Sequence, residues 1–185
     1  SGLVHQVGQI LKDNNFPKQL LLVADRNTLK AADGILESLK DFSVEQHIYE
    51  NLRVADMQHV YELEEKIKGR EVAIVSVGTG SVNDPCRLAA AKQDKKLCIF
   101  ASAPSMDGFA SYSSPLVENG FKASYPAKSP EVIIGDTKIL ANAPSELKCA
   151  GFGDMVSKCV ALIDWQVSTL ITGEYYCEEV AQLIR

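Results

Sequence analysis

Two hydrophobic rhythms alternate along the chain. Apolar residues in LVHQVGQILKDN recur at helical spacing, and QLLLVAD is a continuous apolar run suited to a strand buried on both faces. The helical period returns in NTLKAADGILESLKDF, with Asn27 or Thr28 as the expected cap. VEQHIYE reads as a strand, MQHVYELEEKIKG as a helix ending at Gly69, and EVAIVSVG as the next buried strand. SVNDPCRLAAAKQD predicts a helix starting near Asn83 or Asp84, with Pro85 early enough that its missing N–H costs nothing. KLCIFAS predicts one more strand. Such alternation predicts an α/β fold in which helices cover a parallel sheet.

Beyond Ala101 the rhythm stops. APSMDGFASYSSPLVENGFKASYPAKSP shows neither period and predicts a long loop, a feature of functional regions in compact domains. EVIIGDTKIL predicts a further strand leaving the sheet. From SELKCAGFGDMVSKCVALIDWQVSTLITG onward the pattern is helical, ending in the amphipathic CEEVAQLIR. The expected division is an α/β domain over 1–143 and the beginning of a helical domain over 144–185.

Composition narrows the classes. The 185 residues are 46% apolar and 23% charged, which supports a packed core. A net charge of −5 argues against a general nucleic-acid or membrane surface. No apolar run approaches the roughly 20 residues of a membrane span. Five cysteines, an odd number without a CxxC pair, are expected to be reduced and mostly buried, as in a cytoplasmic protein.

Candidate chemistry clusters around two glycines and three aspartates. Gly78 and Gly80 stand between a strand and a helix, where backbone N–H groups and the helix dipole can hold a pyrophosphate and Ser81 can add a hydroxyl. The dinucleotide fingerprint is incomplete, because Asn83 occupies the place of its third glycine, and a plain strand-to-helix turn remains the alternative. Asp25 closes the first strong strand, on the edge where parallel sheets bind ligands. It reads either as an acceptor for ribose hydroxyls or as a solvated loop acid. Asp107, after the KLCIFAS strand, reads as a ligand-facing carboxylate or a turn acid. Asp154 lies near an expected helix start and reads as an N-terminal cap or a metal ligand. His5, His47 and His59 all precede the glycine turn, and none has metal-ligand spacing with another.

Taken together, VGTGSVND, SAPSMDGFAS, NGFKASYPAKSPEVIIGDTKIL, AGFGDMVSK and DWQVSTLITGE resemble, in order, the sn-glycerol-1-phosphate dehydrogenases. These belong to the superfamily of iron-containing alcohol dehydrogenases, glycerol dehydrogenases and 3-dehydroquinate synthases. The resemblance implies a Rossmann-like nucleotide domain followed by a helical domain, with the active site in the cleft between them. It implies binding of NAD(H) or NADP(H), with Gly78, Thr79, Gly80, Ser81 and Val82 at the pyrophosphate. Ser102, Ala103, Pro104, Ser105 and Ser111 match further cofactor contacts, with Ser102 replacing the usual threonine, and Asp25 matches a position near the adenosine ribose. Asp107 matches the residue that binds the polyol, Asp154 the first ligand of a divalent metal (zinc or nickel), and Lys122 a possible substrate contact. The implied reaction interconverts dihydroxyacetone phosphate and sn-glycerol 1-phosphate, the metal polarising the ketone oxygen.

Family members continue well beyond this length and supply two histidine ligands, so the chain is expected to be a fragment, inactive alone, from a homo-oligomeric enzyme. A glycerol or polyol dehydrogenase and a dehydroquinate-synthase-like cyclase are the alternatives within the superfamily. A nucleotide-binding module without catalysis is the alternative from another class.

Overall fold

A computed structural model describes residues 1–185. Five parallel strands form the central sheet in the order β2-β1-β3-β4-β7: β1 is Gln19–Asp25, β2 Ser43–Tyr49, β3 Val72–Gly78, β4 Leu97–Ala101 and β7 Val132–Gly135. The continuous apolar runs are explained by burial on both faces. Successive side chains of a strand point to opposite sides, so Leu20, Leu22 and Ala24 enter one core while Leu21 and Val23 enter the other. The first core is closed by α1 (Val7–Asp13) and α3 (Ile35–Ser38), through Val7, Leu11 and Ile35. The second is closed by α4 (Met57–Ile67) and α5 (Gly80–Lys92), through Val60, Leu63, Ile67, Val82 and Cys86. Each fully buried Leu, Ile or Val is worth about 1.5–3 kcal/mol relative to exposure.

From β1 the chain passes outward to β2, then returns to place β3 on the other side of β1. The order reverses there, and the carboxyl ends of β1 and β3, Asp25 and Gly78, flank the crevice that such a reversal opens. Gly78 pairs with Ala101 and Ala101 with Gly135, so four strand ends share that edge.

Several expectations are corrected. The helix expected over 27–42 is two short ones, α2 (Arg26–Ala31) and α3, and the cap is Asp25 rather than Asn27 or Thr28. Helix α5 begins at Gly80, which makes Pro85 its sixth residue. Pro85 lacks the N–H that would bond the Ser81 carbonyl. The loop after β4 contains a hairpin, β5 (Ser113–Glu118) with β6 (Phe121–Pro126), turning on Asn119 and Gly120 at φ of 52° and 81°. Both values are positive, as a two-residue hairpin turn of this kind requires, and Asn-Gly supplies them at low cost. The EVIIGDTKIL segment is only briefly extended: β7 joins the sheet edge, and Asp136 then caps α6 (Thr137–Ala141). A single helix, α7 (Ser145–Thr172), carries most of the remaining residues, followed by α8 (Glu178–Ile184). The cysteines are not mostly buried: Cys86 and Cys98 are, whereas Cys149 and Cys159 are exposed, Cys177 is half-buried, and none forms a disulfide. No helix is long and apolar enough to cross a membrane.

Candidate active site

The turn from β3 into α5 has the form of an anion cradle. Thr79 is extended, and its carbonyl accepts from the backbone N–H groups of Val82 and Asn83 at 3.1 and 2.8 Å. No side chain caps this end, leaving the N–H groups of Gly80 and Ser81 available beside the groove they line. The two glycines differ in purpose. A Cβ on Gly78 would fall 2.7 Å from the Val82 side chain, so Gly78 permits close packing of helix on strand. A Cβ on Gly80 would meet only the Met106 sulfur at 3.3 Å and the Asp84 carboxylate at 3.5 Å; it would instead fill the cradle. Asn83 is fully buried and accepts from the Ser76 hydroxyl at 2.5 Å, tying the turn to β3.

One turn along α5, Asp84 and Arg87 form a buried ion pair at 3.0 Å. Arg87 also donates to the carbonyls of Gly108, Phe109 and Ser113 at 2.8, 3.0 and 3.1 Å. It thereby holds the loop that carries Asp107. Burial pushes the Asp84 carboxyl up to about 6, against the opposing pull of Arg87 and Lys122. Sequence reading missed both residues; the signal was a pair of opposite charges three positions apart in an otherwise apolar helix.

Asp154 is the tenth residue of α7, not a cap, because the helix starts at Ser145. Its Oδ2 accepts from the Asp107 backbone N–H at 2.8 Å across 47 residues of sequence. Lys158, one turn further on, reaches Asp107 Oδ2 at 2.8 Å and Asp154 Oδ1 at 3.5 Å. The Asp107 N–H, then Lys158, hold the Asp154 carboxyl below the usual range, and the Lys158 ammonium is raised chiefly by its bond to Asp107. Helix and loop approach closely because residue 151 is glycine, where any Cβ would overlap the Pro104 carbonyl.

These parts line one groove of ≈ 480 Å³, in which Gly80, Ser81, Asp84, Asp107, Lys122 and Asp154 meet. Other expected residues lie around it. Val82 is buried beneath the turn, and Thr79 stands at the cap position, its side chain making no capping bond. Ser102 lines a second cavity of ≈ 420 Å³ with Asp136 near the ends of β4 and β7. Ala103 is buried, while Pro104 and Ser105 run beneath Gly151. The Ser111 hydroxyl accepts from the Ser113 N–H at 3.0 Å, bracing the loop. Asp25 is a buried cap, contrary to the solvated-acid reading: its Oδ1 accepts from Asn27 and Thr28 at 2.8 and 2.9 Å. No histidine lines the groove. His47 and His59 instead stack edge-on against Tyr49. No group of three His, Cys, Asp or Glu side chains is arranged to hold a metal ion, so the chain's donor set does not complete a metal site around Asp154.

Comparison with known proteins places the chain in a family. Glycerol-1-phosphate dehydrogenase [NAD(P)+] from Bacillus velezensis is 34% identical over 173 residues, covering 89% of this chain and 44% of the relative. The enzyme of the same name from Thermococcus sibiricus is 32% identical over 183 residues, covering 98% of this chain and 52% of the relative. The chain thus spans about half the length of the curated relatives it matches. Among solved structures, glycerol dehydrogenase from Schizosaccharomyces pombe superposes with a TM-score of 0.71 at 20% identity, covering 85% of this chain and 41% of that one. A 2-deoxy-scyllo-inosose synthase complexed with carbaglucose-6-phosphate, NAD+ and Co2+ gives 0.70 at 18% identity, covering 85% and 46%. These likenesses establish the Rossmann-like, dehydroquinate-synthase-like fold. The family profile described as iron-containing alcohol dehydrogenase matches residues 1–144, and the chain belongs to that family.

Proposed function

We propose that this chain is the nucleotide-binding part of an NAD(P)-dependent sn-glycerol-1-phosphate dehydrogenase, which interconverts dihydroxyacetone phosphate and sn-glycerol 1-phosphate. The observation that carries the reading is the groove itself. An uncapped helix start with an open Gly80 lies beside Asp107 and Asp154, so a phosphate cradle and two carboxylates share one space. Relatives named glycerol-1-phosphate dehydrogenase [NAD(P)+] support the substrate and cofactor.

In this reading Gly78 to Val82 hold the cofactor pyrophosphate, Ser102 to Ser105 and Ser111 line its further course, and Asp25 approaches the ribose with its second carboxylate oxygen. Bound NAD(P)H supplies the hydride. Asp107 orients the hydroxyl of the ketose, Lys122 contacts the substrate, and Arg87 keeps the Asp107 loop at a set distance from the turn. Asp154 contributes one carboxylate to a divalent-metal site, zinc or nickel, whose other ligands lie outside these residues. Residues 1–143 form the nucleotide domain, and 144–185 begin a helical domain of a cytoplasmic homo-oligomer.

Calorimetric titration of NADH tests the cradle. Gly80→Val should weaken binding at least about tenfold, or ~1.4 kcal/mol, while the variant keeps its fold. Unchanged affinity in a folded variant would refute it. In the full-length protein, reduction of dihydroxyacetone phosphate should be lost in Asp154→Asn, and a wild-type protein inactive with this ketone would refute the substrate assignment.

A further inference from the structure

Each carboxylate of the groove already has a cation partner. Asp84 is paired with Arg87, and Asp107 and Asp154 share Lys158. Two further cations line the same groove, Arg53 and Lys122, and neither makes an ion pair or a side-chain hydrogen bond. The three carboxylates of the lining thus take their ion-pair partners, Arg87 and Lys158, from outside it, and the two cations within the lining are left without a bonded partner.

The fold brings these two cations together from distant segments. The Val117 N–H donates to the Ala55 carbonyl at 2.9 Å, and Asp56 forms a parallel bridge with Val117. This fastens the segment after β2 to the hairpin, two residues beyond Arg53. Lys122 lies directly across the hairpin from Val117, on the same face, and both line the groove. Arg53 and Lys122 thus belong to the wall built from the 53–55 segment and the hairpin. Asp107 and Asp154 belong to the wall built from the loop after β4 and from α7.

From this arrangement we infer that Arg53 and Lys122 together form a subsite for the phosphate ester of the substrate, separate from the cofactor cradle on Gly80 and Ser81. The inference rests on the dehydrogenase reading for its substrate and adds Arg53 as a specificity-determining residue. A phosphate dianion is matched by two cations that are not ion-paired to a carboxylate, and an arginine can grip it with two parallel N–H donors. A small ketose lying between the walls would direct its phosphate to Arg53 and Lys122 and its hydroxyls to Asp107. An unphosphorylated ketose would leave the cation pair unused, so the pair should distinguish the two.

The test uses the full-length protein with Arg53→Gln, Lys122→Gln, the double variant and Arg53→Lys. The ratio of kcat/KM for dihydroxyacetone phosphate over dihydroxyacetone should fall about tenfold or more in each Gln variant, and further in the double variant. Arg53→Lys, which keeps the charge, should recover part of the loss. An unchanged ratio would overturn the proposal. In parallel, calorimetric titration with inorganic phosphate should detect binding that weakens about tenfold or more in the double variant; no binding, or no weakening, would overturn it. A comparable loss of NADH affinity in the same variants would assign the pair to the cofactor and would also overturn it. If the wild-type protein reduces neither ketone, the dehydrogenase reading fails, and the phosphate titration still decides the subsite.

Discussion

Strand β3 and helix α7 are both rich in apolar residues, yet the protein treats them in opposite ways. All seven residues of β3 are buried. Of the 28 residues of α7 only Leu162 is buried, while Phe152 is 73% exposed and Leu170 86%. The α/β body closes its own cores on both faces of the sheet. Helix α7, about 42 Å long at 1.5 Å per residue, meets the Asp107 loop through Gly151 on Pro104 and through Asp154 and Lys158 on Asp107. One half of the candidate site is therefore built into a cooperative core. The other half is attached through a few partly exposed polar contacts, which individually contribute little to stability.

Three experiments test that contrast. The largest effect is expected from Arg87→Met in the body. It removes the partner of buried Asp84 and of three loop carbonyls, and should cost about 3–5 kcal/mol by urea unfolding. A loss below about 1 kcal/mol, the size of an exposed ion pair, would erase the distinction between the two regions.

Next in size is Gly151→Ala. Its Cβ would overlap the Pro104 carbonyl, a steric insult of about 1–3 kcal/mol. Hydrogen exchange should show lost protection in the first half of α7 and unchanged protection in β3. Equal loss in both would mean that helix and body unfold as one unit.

The smallest effect is electrostatic and has opposite signs in the two regions. Asp84 has a folded value raised to about 6, so it destabilises the body as pH rises from about 4 through 6. The full shift is worth at most about 3 kcal/mol. With a tenth of its side chain still in solvent, a cost nearer 1 kcal/mol is expected. Asp154 has a depressed value, so its contribution is present above the ordinary carboxylate range and is lost as pH falls through the folded value. Unfolding of the body should lose its pH 4–6 slope in Asp84→Asn, whereas exchange protection in α7 should fall only on acidification below about pH 4. A slope that persists in Asp84→Asn would show that another group carries it.

Much of the fold was legible in the chain. Alternating apolar runs and helical periods suffice for the parallel sheet, because a strand buried on both faces has no polar face to show. The hairpin was missed: Asn119-Gly120 is its turn signal, but the Pro and Ser residues around it obscured the strand pattern, and the stretch read as a loop. Helix starts were harder. The cap of α2 was expected at Asn27 or Thr28 and is Asp25, and Asp154 resembled a cap when it lay within α7. Both errors share a cause: an Asp, Asn or Thr near a helix start has the same local sequence whether it caps the helix or lies on its face. Whether a helix extends upstream depends on what its first turn packs against.

The parallel sheet and the strand-to-helix glycine turn could be read from residues close together in the chain, and the family from short motifs in a fixed order along it. Folding was needed to show that Asp107 donates its backbone N–H to Asp154, that Lys158 bridges them, and that Arg53 and Lys122 line one groove. It was needed as well to show that Arg87 binds the loop 21 to 26 residues beyond it. Hydrophobic periodicity records which face of an element is buried and carries no information about which distant segment covers it. That choice depends on sheet order and on where a missing side chain, as at Gly151, lets two backbones touch.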